Sequence, residues 1–303
     1  MDAPVGWRRA SVWSCPSFSV AAWVAVALIL CQERAAHAQP REGPSVSDES
    51  PAVTSAAPAG SSRSSFDVSF GTLVVSDYNY RGYTLSDHKP SVSGYFEATY
   101  DILFAGAYAS SVNFPGVPSL QMTYSAGVRP VFGPVSVEVG AGYYNYPGSH
   151  GIIDYPEYYV RPSYAVNPKL TLGLNIYYAP DYIRSGAWEN YISATAKYSI
   201  TDALSVSGEI GRQRYGTTDA TNVSPAVALP DYTYWNFGFA YKHDFITFDV
   251  HFHDNTLSRQ RCFLITGTGD AVRGSNGCGA ALIGTVSLDT TLSTFKTLVA
   301  RAK

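Results

Sequence analysis

Eight polar residues recur at alternate positions of short apolar segments, the spacing that places side chains on one face of a β-strand. They are Glu138, Glu157, Arg161, Asn175, Lys197, Glu209, Asp249 and His251. Charged and amide side chains on the inner wall of a closed sheet can line an aqueous pore, and we predict that these eight residues are pore-lining. Because both signs of charge are present, they could either border a narrow water-filled path or pair with one another and close it.

His251 and His253 suggest a different chemistry, since they alternate on one segment with Asp249 and Asp254 nearby. Such a set could bind a metal ion or act as an acid–base pair. The positions between them are apolar, however, which favours polar residues that face a lumen. The sequence has no Gly-x-Ser-x-Gly nucleophile motif, and its Gly-rich residues 267–279 lack the Gly-Lys-Ser/Thr ending of a phosphate-binding loop. We therefore expect neither an enzyme nor a bound cofactor or metal.

Two cysteines, Cys262 and Cys278, lie sixteen positions apart in the polar segment 254–279. This segment contains no His and no Cys-x-x-Cys spacing, which argues against a metal site. If the segment is extracellular, it lies in an oxidising environment where a disulfide persists. We predict a disulfide between these two residues.

The segments that carry these side chains alternate apolar and polar residues with a period of two from Phe66 onward, the pattern of half-buried β-strands. Short and long links alternate strictly between them, and five short with six long links imply twelve strands. The short links are Tyr100-Asp101, 129–134, 166–169, Thr201-Asp202 and His243-Asp244, and the long ones are 81–90, 113–119, 146–156, 179–189, 215–231 and 254–279. Tight turns at one end and long loops at the other are typical of outer-membrane barrels. We therefore predict an all-β fold, a transmembrane antiparallel up-and-down β-barrel of about twelve strands over residues 66–295.

Composition agrees with a membrane barrel. Charged residues make up 15% of the chain, whereas soluble domains carry about 25%. The chain has 23 Tyr, 14 Phe and 26 Gly, a mixture that favours strands over helices. A net charge of −3 without a basic stripe argues against nucleic-acid binding. A soluble β-sandwich or lectin would also show alternation, but its surface would carry more charge.

Aromatic residues cluster at predicted strand ends, where amphipathic rings suit the boundary between hydrocarbon and water. We predict one interfacial belt beside the long loops and a thinner belt beside the short turns. The first comprises Tyr143, Tyr144, Tyr158, Tyr159, Tyr177, Tyr178, Tyr191, Tyr215, Tyr232 and Trp235, and the second Tyr100, Phe104, Phe132, Tyr164, Tyr198 and Tyr241.

The ends of the chain have a different composition. Residues 1–38 combine Arg8 and Arg9, an apolar run and an Ala-His-Ala cleavage site, so we predict a cleaved signal peptide rather than an uncleaved anchor or a lipoprotein modified at Cys31. Residues 39–65 are rich in Pro, Ser and Ala, which predicts a disordered periplasmic leader. Residues 296–303 form a C-terminal tail after Phe295.

Residues 76–90 (SDYNYRGYTLSDHKP) and 104–114 (FAGAYASSVNF) resemble the opening of the TorF family of porin-like proteins. Further similarities to that family are found at residues 143–148, 157–159, 178–182 and 231–235. The resemblance implies a proteobacterial outer-membrane barrel that is surrounded by lipid, inserted by the barrel-assembly machinery, and has a pore role. Chains of this group usually end on an aromatic residue that this machinery recognises.

From these observations we expect passive diffusion of small hydrophilic solutes or ions through the outer membrane of a bacterial cell. The alternative is a closed structural or adhesive barrel that binds a ligand or partner through its Tyr-rich extracellular loops. The sequence is compatible with a homo-oligomer, although no residue pattern specifies a subunit interface.

Overall fold

The computed structural model describes residues 66–116, 119–151 and 153–295. The predicted signal peptide, leader and C-terminal tail lie outside the described residues. None of the helices in the described part of the chain is both long and apolar enough to span a bilayer.

Within these residues the chain forms twelve long strands, three short ones and a short α-helix, and residues 292–295 are also helical. The long strands are β1 Phe66–Val75, β4 Ser91–Tyr100, β5 Leu103–Ser111, β6 Leu120–Val128, β8 Val135–Asn145, β9 Tyr155–Ala165, β10 Leu170–Ala179, β11 Glu189–Ser199, β12 Leu204–Tyr215, β13 Tyr232–His243, β14 Ile246–Asn255 and β15 Ala281–Thr291. The short strands are β2 Asn79–Tyr80, β3 Tyr83–Thr84 and β7 Val131–Phe132, the helix is α1 Arg259–Thr266, and a 3-10 turn spans Tyr182–Arg184.

The twelve long strands form one closed antiparallel sheet. Each pairs with its neighbours in the chain, with β7 as a short extension beside β8. The first strand β1 pairs with the last strand β15 over the register Ser69↔Thr291 to Val75↔Thr285, and β6 pairs directly with β8, so no edge is left open. The predicted twelve-stranded up-and-down barrel is confirmed.

Side chains alternate between the two faces of the wall as the period of two predicts. On β13, Phe237 and Phe239 project outward and are each 58% exposed, whereas Asn236, the residue before Phe237, points inward and is buried. The next strand repeats this arrangement with exposed Val250 and buried His251. The barrel is therefore apolar outside and polar inside, the inverse of a soluble protein.

The two ends of the barrel differ as the link lengths predict. At one end, the short-turn end, strands are joined by two to six residues, and at the other, the long-loop end, by eight to twenty-five. The long-loop end holds the small hairpin β2–β3, the 3-10 turn and α1. The predicted disulfide between Cys262 and Cys278 is present there. It lies beside the hairpin, since Thr84 donates a backbone hydrogen bond of 2.8 Å to the Gly277 carbonyl.

Candidate functional site

Hairpin β2–β3 enters the barrel from the long-loop end. Its two central residues are Arg81 at φ 47° and Gly82 at φ 96°, which is the positive-φ pair of a tight hairpin turn. A Cβ at Gly82 would lie 2.8 Å from the Tyr234 ring, so both the backbone angle and the space require glycine. The turn therefore brings the Arg81 side chain into the lumen, where it is 0% exposed.

Arg81 contacts two glutamates of the barrel wall. Its Nη2 lies 2.9 Å from Glu157 Oε1 on β9, and its Nη1 lies 2.7 Å from Glu189 Oε1 on β11. The wall holds these acids in place, because the Tyr144 hydroxyl donates to Glu157 Oε2 at 3.1 Å and Gln213 Nε2 donates to Glu189 Oε1 at 2.8 Å. A buried guanidinium with two partners fixes the hairpin tip across the lumen.

Three tyrosine rings surround the same guanidinium. The Arg81 Cζ atom lies 4.7 Å from the ring centre of Tyr80, 4.6 Å from that of Tyr177 and 4.7 Å from that of Tyr191. Each distance suits a cation–π contact, which is stronger where water is excluded. Ion pairs and rings together make the hairpin a plug at the long-loop end.

Part of the predicted aromatic belts is wrong, because several of the rings face the lumen. Six tyrosines assigned to the outer belt face the lumen and are buried: Tyr144, Tyr159, Tyr177, Tyr191, Tyr215 and Tyr232. Neighbours on a strand point to opposite faces, so each adjacent pair contributes one ring inside and one outside. Exposed outer rings remain at Tyr143, Tyr158 and Tyr178, and Trp235 is half-buried. In the thinner set, Phe104 also faces inward and lies 4.3 Å under the Arg129 guanidinium.

The base of the hairpin is tied to the disulfide-bearing loop through His88. Its Nδ1 lies 2.8 Å from Asp77 Oδ2 and its Nε2 lies 2.9 Å from the Asn276 carbonyl oxygen. Both partners are acceptors, so only the doubly protonated imidazolium donates to both. Partial burial lowers the pKa of His88, but these two hydrogen bonds outweigh it and raise that pKa above its usual value.

A charged cluster crosses the lumen nearer the short-turn end. Arg129 lies 3.0 Å from Glu97 Oε1 through Nη1 and 2.9 Å from Glu138 Oε2 through Nε. Arg161 forms an ion pair with the other oxygen of Glu138. Two arginines and two glutamates from β4, the link after β6, β8 and β9 thus form a second set of ion pairs inside the barrel.

The remaining predicted residues lie on the inner wall between these two levels and toward the short-turn end. Asn175 Nδ2 lies 3.4 Å from Glu209 Oε1, and His251 Nε2 lies 3.3 Å from Asp249 Oδ2. Lys197, on the inner face of β11, is half-buried. All eight residues predicted as pore-lining are thus on the inner face, in two groups: the ion pairs around Glu138 and Glu157, and this polar wall.

His251 has little freedom for acid–base chemistry. Its ring is 1% exposed, Nδ1 lies 3.1 Å from Asn236 Oδ1, and Nε2 is 3.3 Å from the Ser207 hydroxyl. Among the described residues, no group of three or more His, Cys, Asp or Glu side chains is arranged to hold a metal ion. The arrangement is that of a buried polar wall in which His251 is held by its neighbours.

Sequence reasoning missed Arg81, Glu189, Glu97 and Arg129. Arg81 falls within a segment assigned to a long loop, yet Tyr80-Arg81-Gly82-Tyr83 has a two-residue X-Gly turn between tyrosines, a hairpin signal. Glu97 follows the period-two pattern of β4 and could have been found from it. Arg129 lies in a link between strands, where the period of two does not assign a side chain to the inner or the outer face.

A cleft of about 420 Å³ lies above the plug at the long-loop end. Tyr80 and Tyr83 of the hairpin form its buried floor, with Tyr155 and Tyr182 beside them. The rim consists of exposed loop residues such as His150. The cleft therefore opens away from the barrel, above the plug.

The family model described as a bacterial protein of unknown function (Gcw_chp) matches residues 59–263, about two thirds of the chain. The chain belongs to the Gcw_chp family. A comparison with curated proteins found no match. The resemblance to the TorF family stays a prediction for this Gcw_chp protein.

Solved outer-membrane barrels resemble this Gcw_chp chain at low identity. The KdgM porin in complex with disordered oligogalacturonate is 9% identical, with 73% of this chain and 98% of that chain covered at a TM-score of 0.46. An outer membrane channel from Pseudomonas putida F1 is 10% identical, with 78% and 100% covered at a TM-score of 0.40. The Pseudomonas putida toluene transporter TodX is 11% identical, with 78% and 89% covered at a TM-score of 0.39.

Proposed function

We propose that this Gcw_chp protein is a porin-like channel of the bacterial outer membrane that lets small hydrophilic solutes or ions diffuse passively. In this proposal the hairpin β2–β3 is a movable plug, and the eight inner-wall residues predicted from the sequence line the path. The outward face suits lipid, because exposed apolar side chains such as Phe237, Phe239 and Ile210 surround a closed wall with no unpaired edge.

The observation that carries the proposal is how the lumen is closed. Hairpin β2–β3 forms a sheet of its own and pairs with none of the twelve wall strands. Its tip is held by the Arg81 ion pairs and ring contacts, and its base by side chains such as His88. A wall strand cannot leave without breaking a ladder, whereas a hairpin held by side chains and by a short backbone contact with the disulfide-bearing loop can move with the barrel intact. The wall behind it is polar, so moving the hairpin exposes a wet surface.

The sequence supports the same location. The predicted signal peptide at residues 1–38 would export the chain, the resemblance to the TorF family implies an outer-membrane barrel, and the barrel-assembly machinery would insert it. The long-loop end, with its disulfide, would then face the oxidising exterior and the short turns the periplasm.

Planar-bilayer recording on the purified, refolded chain tests the proposal. We expect low conductance for the wild type and larger, longer openings when residues 79–84 are replaced by a Gly/Ser linker. A matched control replaces an equal number of exposed residues in the loop at 216–231 and should conduct as the wild type does. Absence of openings in all three proteins, each shown to be folded by heat-modifiable gel migration, would refute a channel.

A second function is favoured by the cleft above the plug. If the plug is permanent, the barrel is a closed scaffold whose tyrosine-lined loops bind a ligand or partner. This alternative predicts ligand binding at the long-loop end with no conductance even after the hairpin is replaced, which separates it from the channel.

A further inference from the structure

The loops and hairpin at the long-loop end form a binding site of definable chemistry. We propose that the cleft binds a small uncharged molecule with a six-membered ring and hydroxyl groups, the chemistry shared by phenols and pyranose sugars. The proposal concerns the cleft alone and holds whether or not the barrel conducts.

Size and access fit such a ligand. The cleft measures about 420 Å³, and small-molecule sites commonly enclose roughly 300–1,000 Å³. Its floor is formed by buried Tyr83 and Tyr182, whereas Leu264 on the rim is 44% exposed. A molecule can therefore enter from the loop side and reach a protected floor.

The cleft walls contain paired aromatic rings, of which Phe114 is half-buried and Tyr146, Tyr155 and Tyr182 are buried. Phe114 packs edge-on against Tyr146 with ring centres 5.8 Å apart, and Tyr155 packs edge-on against Tyr182 at 5.3 Å. Because these rings already restrain one another, their side chains lose little further conformational entropy when a ligand ring stacks on them. A ring-shaped ligand therefore fits these walls better than a flexible chain.

The described lining is mostly uncharged. Among the described residues that line the cleft there is no Asp, Glu, Lys or Arg, and its one histidine, His150, lies on the exposed rim. Burial raises the pKa of the Tyr83, Tyr146 and Tyr182 phenols, so these groups stay neutral. A carboxylate entering the cleft would lose its hydration without gaining a counter-charge, which favours uncharged ligands.

Hydroxyl pairs on the floor give the site its polar contacts. The Tyr83 and Tyr182 hydroxyls lie 2.8 Å apart, and Gln121 Nε2 donates to the Tyr146 hydroxyl at 3.1 Å. A phenol oxygen can donate one hydrogen bond and accept others, so each pair retains capacity for a ligand hydroxyl. Ring stacking with hydroxyl recognition defines the ligand class.

Calorimetric titration of the folded full-length chain in detergent at neutral pH tests the site. The probes are two matched pairs, phenol with 4-hydroxybenzoate and glucose with glucuronate, each a neutral hydroxyl-bearing ring with a counterpart that carries a carboxylate. We expect saturable binding of at least one neutral probe, with a Kd of about 1 mM or tighter. Its anionic partner should bind at least about tenfold more weakly. The pair that binds tells phenolic from sugar ligands.

Variants locate the binding. Phe114→Ala should weaken the neutral probe about five- to tenfold. Phe245→Ala, the same substitution at an exposed residue of a short turn at the opposite end, should leave the binding unchanged. Leu264→Lys on the exposed rim should bring the anionic partner within about threefold of the neutral probe. No saturable neutral binding, equal binding of the anion by the wild type, or indifference to both cleft variants would overturn the proposal.

Discussion

Removing the Arg81 side chain should open the plug, and the size of the effect follows from its surroundings. Arg81→Gly deletes a guanidinium that is 0% exposed and leaves Glu157 and Glu189 buried without their cation. Removing one partner of a buried ion pair costs about 3–5 kcal/mol. The change also relieves the positive φ of 47° at Arg81, a strain of about 1–2 kcal/mol.

The net destabilisation of the plugged state is therefore about 1–4 kcal/mol, equal to a shift of about 5- to 900-fold in the plugged–open equilibrium. The cost applies to the plug rather than the barrel, since Arg81 belongs to no wall strand. Single-channel recording should show open probability rising accordingly. Arg81→Lys keeps the charge but loses the planar group that contacts two acids and three rings, so it should lie between the wild type and Arg81→Gly.

The control is Arg184→Gly, which removes an arginine that is also at positive φ, 58°, but exposed at the same end of the barrel. It should leave open probability unchanged. If Arg81→Gly folds and conducts no more than Arg184→Gly, then Arg81 does not hold the plug and the reasoning fails.

Three further predictions concern other contacts. The pKa of His88 is raised above the usual 6.5, so protonated His88 stabilises the hairpin base fully below pH 6.5, and this stabilisation is lost as the pH rises through the raised pKa. Channel openings should therefore increase with pH. His88→Gln should abolish this pH dependence. Reducing the Cys262–Cys278 disulfide should destabilise the loop that it closes by about 3 kcal/mol, so proteolysis of that loop should become faster while the barrel stays intact. Equal rates of proteolysis before and after reduction would contradict a stabilising role of the disulfide. Phe237→Lys should destabilise the barrel by about 2–4 kcal/mol in refolding titrations in lipid because its outward face meets hydrocarbon, whereas no loss would argue against a lipid-facing position.

Much of the wall could be predicted because its information is local. A period of two assigns Glu138 and Val139 to opposite faces before any partner strand is known, and link lengths count the strands. The same rule, applied to Tyr143 and Tyr144 separately, would have placed one ring outside and one inside. Assigning both to a belt used only their position along the strand and neglected their alternation.

The plug could not be predicted in the same way. Nothing in residues 76–90 indicates that the hairpin turns into the lumen, because its partners Glu157 and Glu189 are distant in sequence and on different strands. Local signals predict the turn at Arg81-Gly82, but only the closed wall determines where that turn lies. Insertion of a loop is a tertiary property, and so is the burial of the side chain at its tip.

The hairpin is joined at both ends to the wall, through β1 on one side and β4 on the other. A plug that is attached at both ends never diffuses away, so its return to the lumen is unimolecular. Its effective concentration near its binding position is in the millimolar range or above. Closing a flexible loop of about ten residues takes roughly 10–100 ns, so chain diffusion would not limit the return of the hairpin. Such a barrel would flicker rather than stay open, and a cell carrying it would be protected from a persistent leak.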